Sequence, residues 1–178
     1  ITGKSTTIYV YAYDDAVNCG ASFLMNDGRL YAYSVTNDAI DSNGGLTIAG
    51  GLLIANGSSE PEQGLAVCDN ARFAITGGTL VATGGCMGPS PAVPLSDAST
   101  QSLAACTGMK FTRGKYISVQ DDAGRLLCAY RLPRSMEHAV FTYSSPLLTD
   151  AGNYTLSVCD TVVGARHLGN GLFVDGGN

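Results

Sequence analysis

An internal repeat in the first half of the chain constrains the fold more than any other feature of the sequence. Three segments, 22–30, 45–53 and 72–80, align on an alternating apolar pattern that runs into a glycine. Equivalent positions hold Phe23, Leu46 and Phe73, then Met25, Ile48 and Ile75, then Gly28, Gly51 and Gly78, and then Leu30, Leu53 and Leu80. The copies are therefore 23 and 27 residues apart.

Strict alternation within each copy predicts strands, since no stretch has apolar spacing of three and four over a helical length. Units of this length with short strands and glycine turns are typical of a solenoid. Because all copies run in the same direction, stacked copies would pair in parallel through right-handed crossovers. We therefore predict an all-β, right-handed parallel β-helix with rungs of 23–27 residues. A β-meander with accidental similarity is the alternative.

The sequence changes in character after this repeat. Prolines at 89, 91 and 94 predict a crossing loop over 89–105. Beyond it, the turn residues 121–124 lie between the apolar runs 116–119 and 126–130 and predict a hairpin. We expect the rungs of the β-helix at 1–88, truncated at the N-terminus and without a signal peptide. A small antiparallel β cap at 106–178 is expected to pack on the helix.

Charge is distributed unevenly along the chain. The net charge of −5 resides in residues 1–85, which hold eight acidic and three basic residues, whereas the second half is neutral. No basic stripe is present, which argues against a nucleic-acid partner. No apolar run approaches the ~20 residues of a membrane span. We expect a monomer, and the acidic half points towards cations.

Six cysteines are spread through the chain without a CxxC pair. This spacing argues against zinc ribbons and thioredoxin-like redox sites. We expect most of them to be buried free thiols that behave as small apolar residues. Disulfides are the alternative, because an even number of cysteines permits them in a secreted protein.

Acidic and amide side chains recur at one position of the repeat. Residues 14–18 align with 37–41 as [DN]-D-A-[VI]-[DN], and equivalent positions on stacked strands lie about 4.8 Å apart. Carboxylates this close repel one another unless a cation lies between them, and calcium accepts such oxygen ligands. The candidate calcium ligands are Asp14, Asp15, Asn18, Asp38, Asp41 and Asn43. Turn formation by Asp and Asn is the alternative.

Tyrosines precede both acidic segments. Tyr11 and Tyr13, like Tyr31 and Tyr33, have the period of two that places both rings of a pair on one strand face. With Tyr9, they could line two neighbouring rungs, where sugar rings would stack on them. We take Tyr11, Tyr13, Tyr31 and Tyr33 as candidate substrate-binding residues. An internal stack of rings is the alternative.

These segments carry a family resemblance that extends from about Tyr9 to Val158. The chain resembles a secreted bacterial carbohydrate-binding β-helix family in residues 37–44, 46–51, 73–80, 116–119, 144–146 and 154–158. The resemblance implies a calcium-binding fold related to pectate lyases that binds plant cell-wall polysaccharides such as polygalacturonate and cellulose. Cys68 stands where the family usually has Asp, which puts one calcium site in doubt.

Binding is favoured over catalysis. A uronate lyase needs a Lys or Arg base, and the acidic half offers Lys4, Arg29 and Arg72. The two arginines are better explained as solvated surface charges. We therefore expect calcium-dependent, non-catalytic binding of an acidic or plant polysaccharide, outside the cell or on a bacterial cell surface. The alternatives are a calcium-dependent polysaccharide lyase and a structural adhesin stalk that binds no sugar.

Overall fold

The computed structural model describes residues 1–59, 62, 64–67, 72–85 and 95–176, and these form strands but no helix. Strands of the first half are β1 (Thr7–Ala12), β2 (Val17–Cys19), β3 (Ser22–Met25), β4 (Arg29–Ser34), β5 (Ile40–Ser42), β6 (Gly45–Ile48), β7 (Leu52–Asn56), β8 (Leu65–Val67), β9 (Phe73–Ile75) and β10 (Thr79–Gly84). Strands of the second half are β11 (Ala104–Phe111), β12 (Tyr116–Asp121), β13 (Leu126–Arg131), β14 (Met136–Ser144), β15 (Tyr154–Cys159), β16 (Ala165–Gly169) and β17 (Leu172–Asp175). The prediction of an all-β chain is confirmed.

The strands lie in four separate sheets. A six-stranded sheet has the order β1-β4-β7-β10-β14-β11, and a five-stranded sheet has the order β15-β12-β13-β17-β16. Two three-stranded sheets have the orders β2-β5-β8 and β3-β6-β9. Both small sheets are parallel, and so are the pairs that link β1, β4, β7 and β10.

The pairing register of the repeat is the one that its alignment predicts. Leu46 pairs with Phe23 on one side and with Phe73 on the other, and the same holds for Ile48 with Met25 and Ile75. These six side chains are buried in one apolar core, together with the equivalent leucines of β4, β7 and β10. Burying a side chain of this size stabilises the fold by roughly 1.5–3 kcal/mol. The alternating apolar positions therefore hold the three copies together.

The predicted right-handed parallel β-helix with a small antiparallel cap is nevertheless wrong as a description of the fold. The strands form several short sheets of three to six strands instead of a long solenoid. The six-stranded sheet is mixed, because β14 pairs antiparallel with β10 and places Ser144 opposite Leu80. A repeat predicts which of its own copies pair. It carries no information about the strand that covers the open edge of the last copy.

The chain divides into two compact units. The first comprises Ile1–Met109 and His138–Leu148 and contains the repeat, and the second comprises Lys110–Glu137 and the chain from Thr149 onward. In the second unit, β12 and β13 form the predicted hairpin, with Ile117 opposite Tyr130. The other edge of β12 pairs with β15, and β17 and β16 follow β13, all antiparallel. This unit has its own buried residues, among them Ile117, Val119, Leu127 and Leu172.

The cysteines are described in part. Cys19, Cys106, Cys128 and Cys159 are free thiols, as expected, but the expectation that they are buried holds for Cys128 and not for the three partly buried ones. Cys128 is the buried one of the four, and burial raises the pKa of its thiol. Cys68 and Cys86 lie outside the described residues, as do residues 89–94 of the predicted crossing loop.

Candidate functional site

Two pairs of tyrosine rings stack between β1 and β4. Parallel pairing places Tyr9 beside Tyr31 and Tyr11 beside Tyr33. The ring centroids of the first pair are 4.8 Å apart, with planes inclined by 16°. Those of the second pair are 5.0 Å apart, with planes inclined by 3°. These distances match the spacing of adjacent strands, so the rings stack because the strands that carry them pair side by side.

The alternation of β1 and β4 decides which way the tyrosines face. Leu30 and Ala32 belong to the apolar core of the first unit, and Val10 packs against it. Successive side chains of a strand point to opposite faces of the sheet. The tyrosines between these positions, Tyr9, Tyr11, Tyr31 and Tyr33, therefore lie on the face away from that core.

Exposure of these rings falls steeply from the edge of the sheet inward. On the edge strand β1, the exposed fractions of Tyr9 and Tyr11 are 68 % and 76 %, whereas that of Tyr31 on β4 is 7 %. Tyr33 is half-buried. On the next strand, Ile54 occupies the position beside Tyr31 and is buried. This face of the sheet is therefore exposed at β1. The buried ring of Tyr31 packs against the exposed ring of Tyr9 and does not itself face the solvent.

Tyr13 extends the exposed row just beyond the end of β1, with 76 % of its surface exposed. Its backbone is held in place by Thr36, whose backbone N–H and hydroxyl both donate to the Tyr13 carbonyl, at 3.0 and 2.6 Å. We call Tyr9, Tyr11 and Tyr13 the tyrosine surface. Tyr9 is the member that lies outside the candidate set from the sequence, although its spacing of two from Tyr11 is the signal that identifies it.

The acidic segments 14–18 and 37–43, which we call the acidic corner, lie side by side. Parallel pairing of β2 with β5 sets Asn18 beside Asp41, as the alignment predicts. The Asn18 amide nitrogen donates to Asp15 Oδ2 and to Asp41 Oδ2, at 2.9 Å in each case. The backbone N–H of Asp38 donates to Asp15 Oδ1 at 3.1 Å. Asp15, Asn18 and Asp41 thus form the centre of the corner.

Asn37 and Asp14 form a second amide–carboxylate pair at this corner. The Asn37 amide nitrogen donates to Asp14 Oδ1 at 2.6 Å, and the Asn37 backbone N–H is held by the Ser34 hydroxyl at 2.8 Å. Asn37 lies outside the set of ligands predicted from the sequence. Its signal is the alignment with Asp14, because equivalent positions of a parallel pair come into contact.

The two remaining candidates lie at the margins of the corner. Asp38 is half-buried, and its carbonyl accepts a hydrogen bond from the Ala16 backbone N–H at 3.1 Å. Asn43 is exposed, and its backbone N–H donates to the Cys19 carbonyl at 2.9 Å. Backbone contacts therefore fix both residues within the two turns.

Electrostatic repulsion acts at the centre of the corner. Partial burial raises the pKa of Asp41 above its usual value, and the negative charge of Asp15 raises it further. The hydrogen bond from Asn18 acts in the opposite direction. Burial, and after it the charge of Asp41, also raises the pKa of the neighbouring Cys19 thiol. The hydrogen bond from Asn18 therefore does not fully compensate the burial of the Asp41 carboxylate and its repulsion by Asp15.

The centre of the corner offers only some of the oxygen ligands that a calcium ion would need. Asp15 and Asp41 offer carboxylate oxygens, but Asn18 directs an N–H donor at both, and its amide would have to turn to present its oxygen. Calcium takes six to eight oxygen ligands, so water would have to complete the shell. Among the described residues, no group of three or more His, Cys, Asp or Glu side chains could hold a metal ion. Calcium at this corner stays a prediction.

No described residue belongs to a helix that is long and apolar enough to cross a membrane. Comparisons with protein-family models, with curated proteins and with solved structures found no match to this chain. A function for the chain therefore rests on its own residues.

Proposed function

We propose that this chain is a non-catalytic carbohydrate-binding module whose tyrosine surface stacks against the sugar rings of a cell-wall polysaccharide. The observation that carries the proposal is the pair of exposed rings Tyr9 and Tyr11, each held flat by a ring of β4. Because one face of each ring is covered by its partner, the exposed area belongs to the opposite face and the ring edges. An open aromatic face is the surface on which a sugar ring stacks.

The stacked arrangement prepares these rings for binding. Tyr31 and Tyr33 restrict the orientations of Tyr9 and Tyr11, so less side-chain entropy is lost when a ligand binds. Two residues along a strand span about 6.7 Å, which sets the rings in a row along β1. The tyrosine hydroxyls add hydrogen-bonding groups at the rim of an otherwise apolar surface. An extended glycan chain is the ligand that matches such a row.

The charge near the tyrosine surface bears on the kind of glycan. Tyr13 is followed directly by Asp14 and Asp15, which would repel a uronate carboxylate. An acidic glycan would therefore bind only if a cation such as calcium neutralised these groups, whereas a neutral glycan needs no cation. The resemblance found in the sequence supports a plant cell-wall polysaccharide, bound outside the cell or at a bacterial cell surface.

The test is a pull-down and a calorimetric titration with cellulose-type and polygalacturonate oligosaccharides, with calcium and with chelator. Tyr11→Ala should weaken binding about tenfold, the order of one aromatic contact, whereas Tyr11→Phe retains the ring, loses only the hydroxyl and should weaken binding less. Val163→Ala is the control, because Val163 is an exposed apolar residue of the second unit.

Three outcomes would contradict the proposal. Equal binding by Tyr11→Ala and the parent would show that the ring is not used. Absence of binding to every glycan tested would favour a structural stalk. Release of unsaturated uronate products from polygalacturonate would show that the chain is a lyase.

A further inference from the structure

A cavity of about 330 Å3 lies within the second unit, where three loops meet. They are the turn 112–115 between β11 and β12, the segment 131–133 that begins at the last residue of β13, and the turn 169–171 that begins at the last residue of β16. Backbone hydrogen bonds tie them together: the Gly114 N–H donates to the Leu132 carbonyl at 2.9 Å, and the Arg131 N–H to the Gly171 carbonyl at 2.8 Å. The walls of the cavity are therefore held by the sheet.

Two arginine side chains give this cavity its positive charge. Arg113 and Arg131 both line it, and none of its described lining residues is acidic. Lys110–Glu137, Lys115–Asp160 and Arg125–Asp121 are ion pairs among the described residues, and neither cavity arginine belongs to any of these three. Two guanidinium groups that share a cavity repel each other, and an anion between them would remove that repulsion.

The Arg131 guanidinium lies close to the turn at Gly114. A Cβ on Gly114, which has a φ of +90°, would lie 4.0 Å from the nearer guanidinium nitrogen of Arg131. The Arg131 guanidinium therefore reaches across to the turn that carries Arg113. On the opposite wall, Asn170 has a φ of 43°, which is uncommon for a residue other than glycine. Its side-chain amide is a further hydrogen-bonding group among the cavity residues.

We propose that this cavity binds the oxyanion of a small molecule, a carboxylate or a phosphate or sulfate group, between Arg113 and Arg131. Guanidinium groups match the paired oxygens of these anions and form strong charge-assisted hydrogen bonds with them. The volume lies at the lower end of the range for small-molecule sites, which suits a single sugar acid or sugar phosphate. The site contains no residue of the tyrosine surface, so its test does not depend on the proposed polysaccharide binding.

The experiment is isothermal titration calorimetry of the full chain with glucuronate, inorganic phosphate and sulfate, with glucose as the uncharged control. Glucuronate tests the carboxylate, and phosphate and sulfate test the tetrahedral anions. We expect at least one anion to bind, and glucose not to bind. Because both arginines are exposed, the affinity should fall when salt is raised from about 20 mM to about 300 mM.

Variants locate the site. Arg131→Gln and Arg113→Gln should each weaken anion binding about tenfold, the order of one charged hydrogen bond, and Arg131→Lys should lose less because it keeps the charge. Arg166→Gln is the matched control, since Arg166 is exposed, lies in the same unit and does not line the cavity. Thermal melting of each variant separates loss of the site from loss of the fold. Equal weakening by Arg166→Gln, or no anion binding by the parent at low salt, would overturn the proposal.

Discussion

The side-chain amide of Asn18 donates to Asp41 across the parallel pairing of β2 with β5, at 2.9 Å from the carboxylate oxygen. The same nitrogen donates to Asp15, also at 2.9 Å. One neutral amide thus lies between two carboxylates that come from neighbouring copies of the repeat. The amide donates a hydrogen bond to an oxygen atom of each carboxylate, but it carries no positive charge. Repulsion from Asp15 therefore still acts on Asp41.

Asp41→Asn should stabilise the protein at neutral pH in the presence of a chelator. The pKa of Asp41 is raised in the folded chain, so the folded state keeps this proton to a higher pH than the unfolded state does. Ionisation of Asp41 therefore costs stability as the pH rises from the unfolded pKa through the folded one. The variant lacks this cost, and its melting temperature should rise by on the order of 1–2 °C.

Thermal unfolding followed by circular dichroism from about pH 3 to pH 8 checks this prediction. The increase in melting temperature over the parent should vanish at the acidic end of this pH range, where Asp41 is protonated in both the folded and the unfolded state. Asp122→Asn removes an exposed acid from the turn after β12 and serves as the control. A lower melting temperature for Asp41→Asn at neutral pH would contradict the prediction.

Calcium should raise the melting temperature of the parent chain, because a cation at the acidic corner would relieve the repulsion between Asp15 and Asp41. A ligand that binds only the folded state stabilises it by about 2.7 kcal/mol at one hundred times its Kd. Asp41→Asn should show a smaller calcium shift, and Asp122→Asn should show the full shift. If melting is identical with calcium and with chelator, the acids of the corner act only through hydrogen bonds within the turns.

Gly51→Ala should destabilise the first unit by more than about 1 kcal/mol. Gly51 has a φ of +81°, and a Cβ there would lie 2.5 Å from the Gly28 carbonyl oxygen. That oxygen accepts the hydrogen bond from the Leu52 N–H that continues the pairing of β4 with β7, so it cannot move away without loss. Gly20→Ala is the matched control, because a Cβ on Gly20 meets no atom within 4 Å. Chemical denaturation that gives equal unfolding free energies for both variants would refute the prediction.

Asp121→Asn should have a pH dependence opposite to that of Asp41→Asn. The backbone N–H and the guanidinium of Arg125 donate to the Asp121 carboxylate, at 2.8 and 3.0 Å, and lower its pKa. A lowered pKa contributes stability above the unfolded pKa, and this contribution is lost as the pH falls through the folded pKa. The variant should therefore melt below the parent at neutral pH, and the two curves should converge in acid. Thermal melts over the same pH series would disprove this if the variant were the more stable at neutral pH.

Much of the strand pairing could be predicted from the sequence, because its determinants are local and periodic. The alternation of Phe23 with Met25 identifies a strand with one buried face, and the 23-residue offset to Leu46 identifies its partner. The same offset predicts that Asn18 lies beside Asp41. Tyr11 pairs with Tyr33, which is one residue short of that offset. A repeated pattern carries this information within itself, since equivalent residues of parallel copies come into register.

The rest was decided by the tertiary structure. Antiparallel pairing of β14 with β10 ends the parallel order of the six-stranded sheet, and residues far from the repeat in sequence determine it. Tyr9 and Tyr31 have the same local pattern, yet one is exposed and the other buried, because exposure depends on which strand lies at the edge. The direction in which the Asn18 amide points depends on carboxylates from two turns at once. Alternation and spacing describe the chain along its length, whereas edges, burial and side-chain hydrogen bonds arise only where distant segments meet.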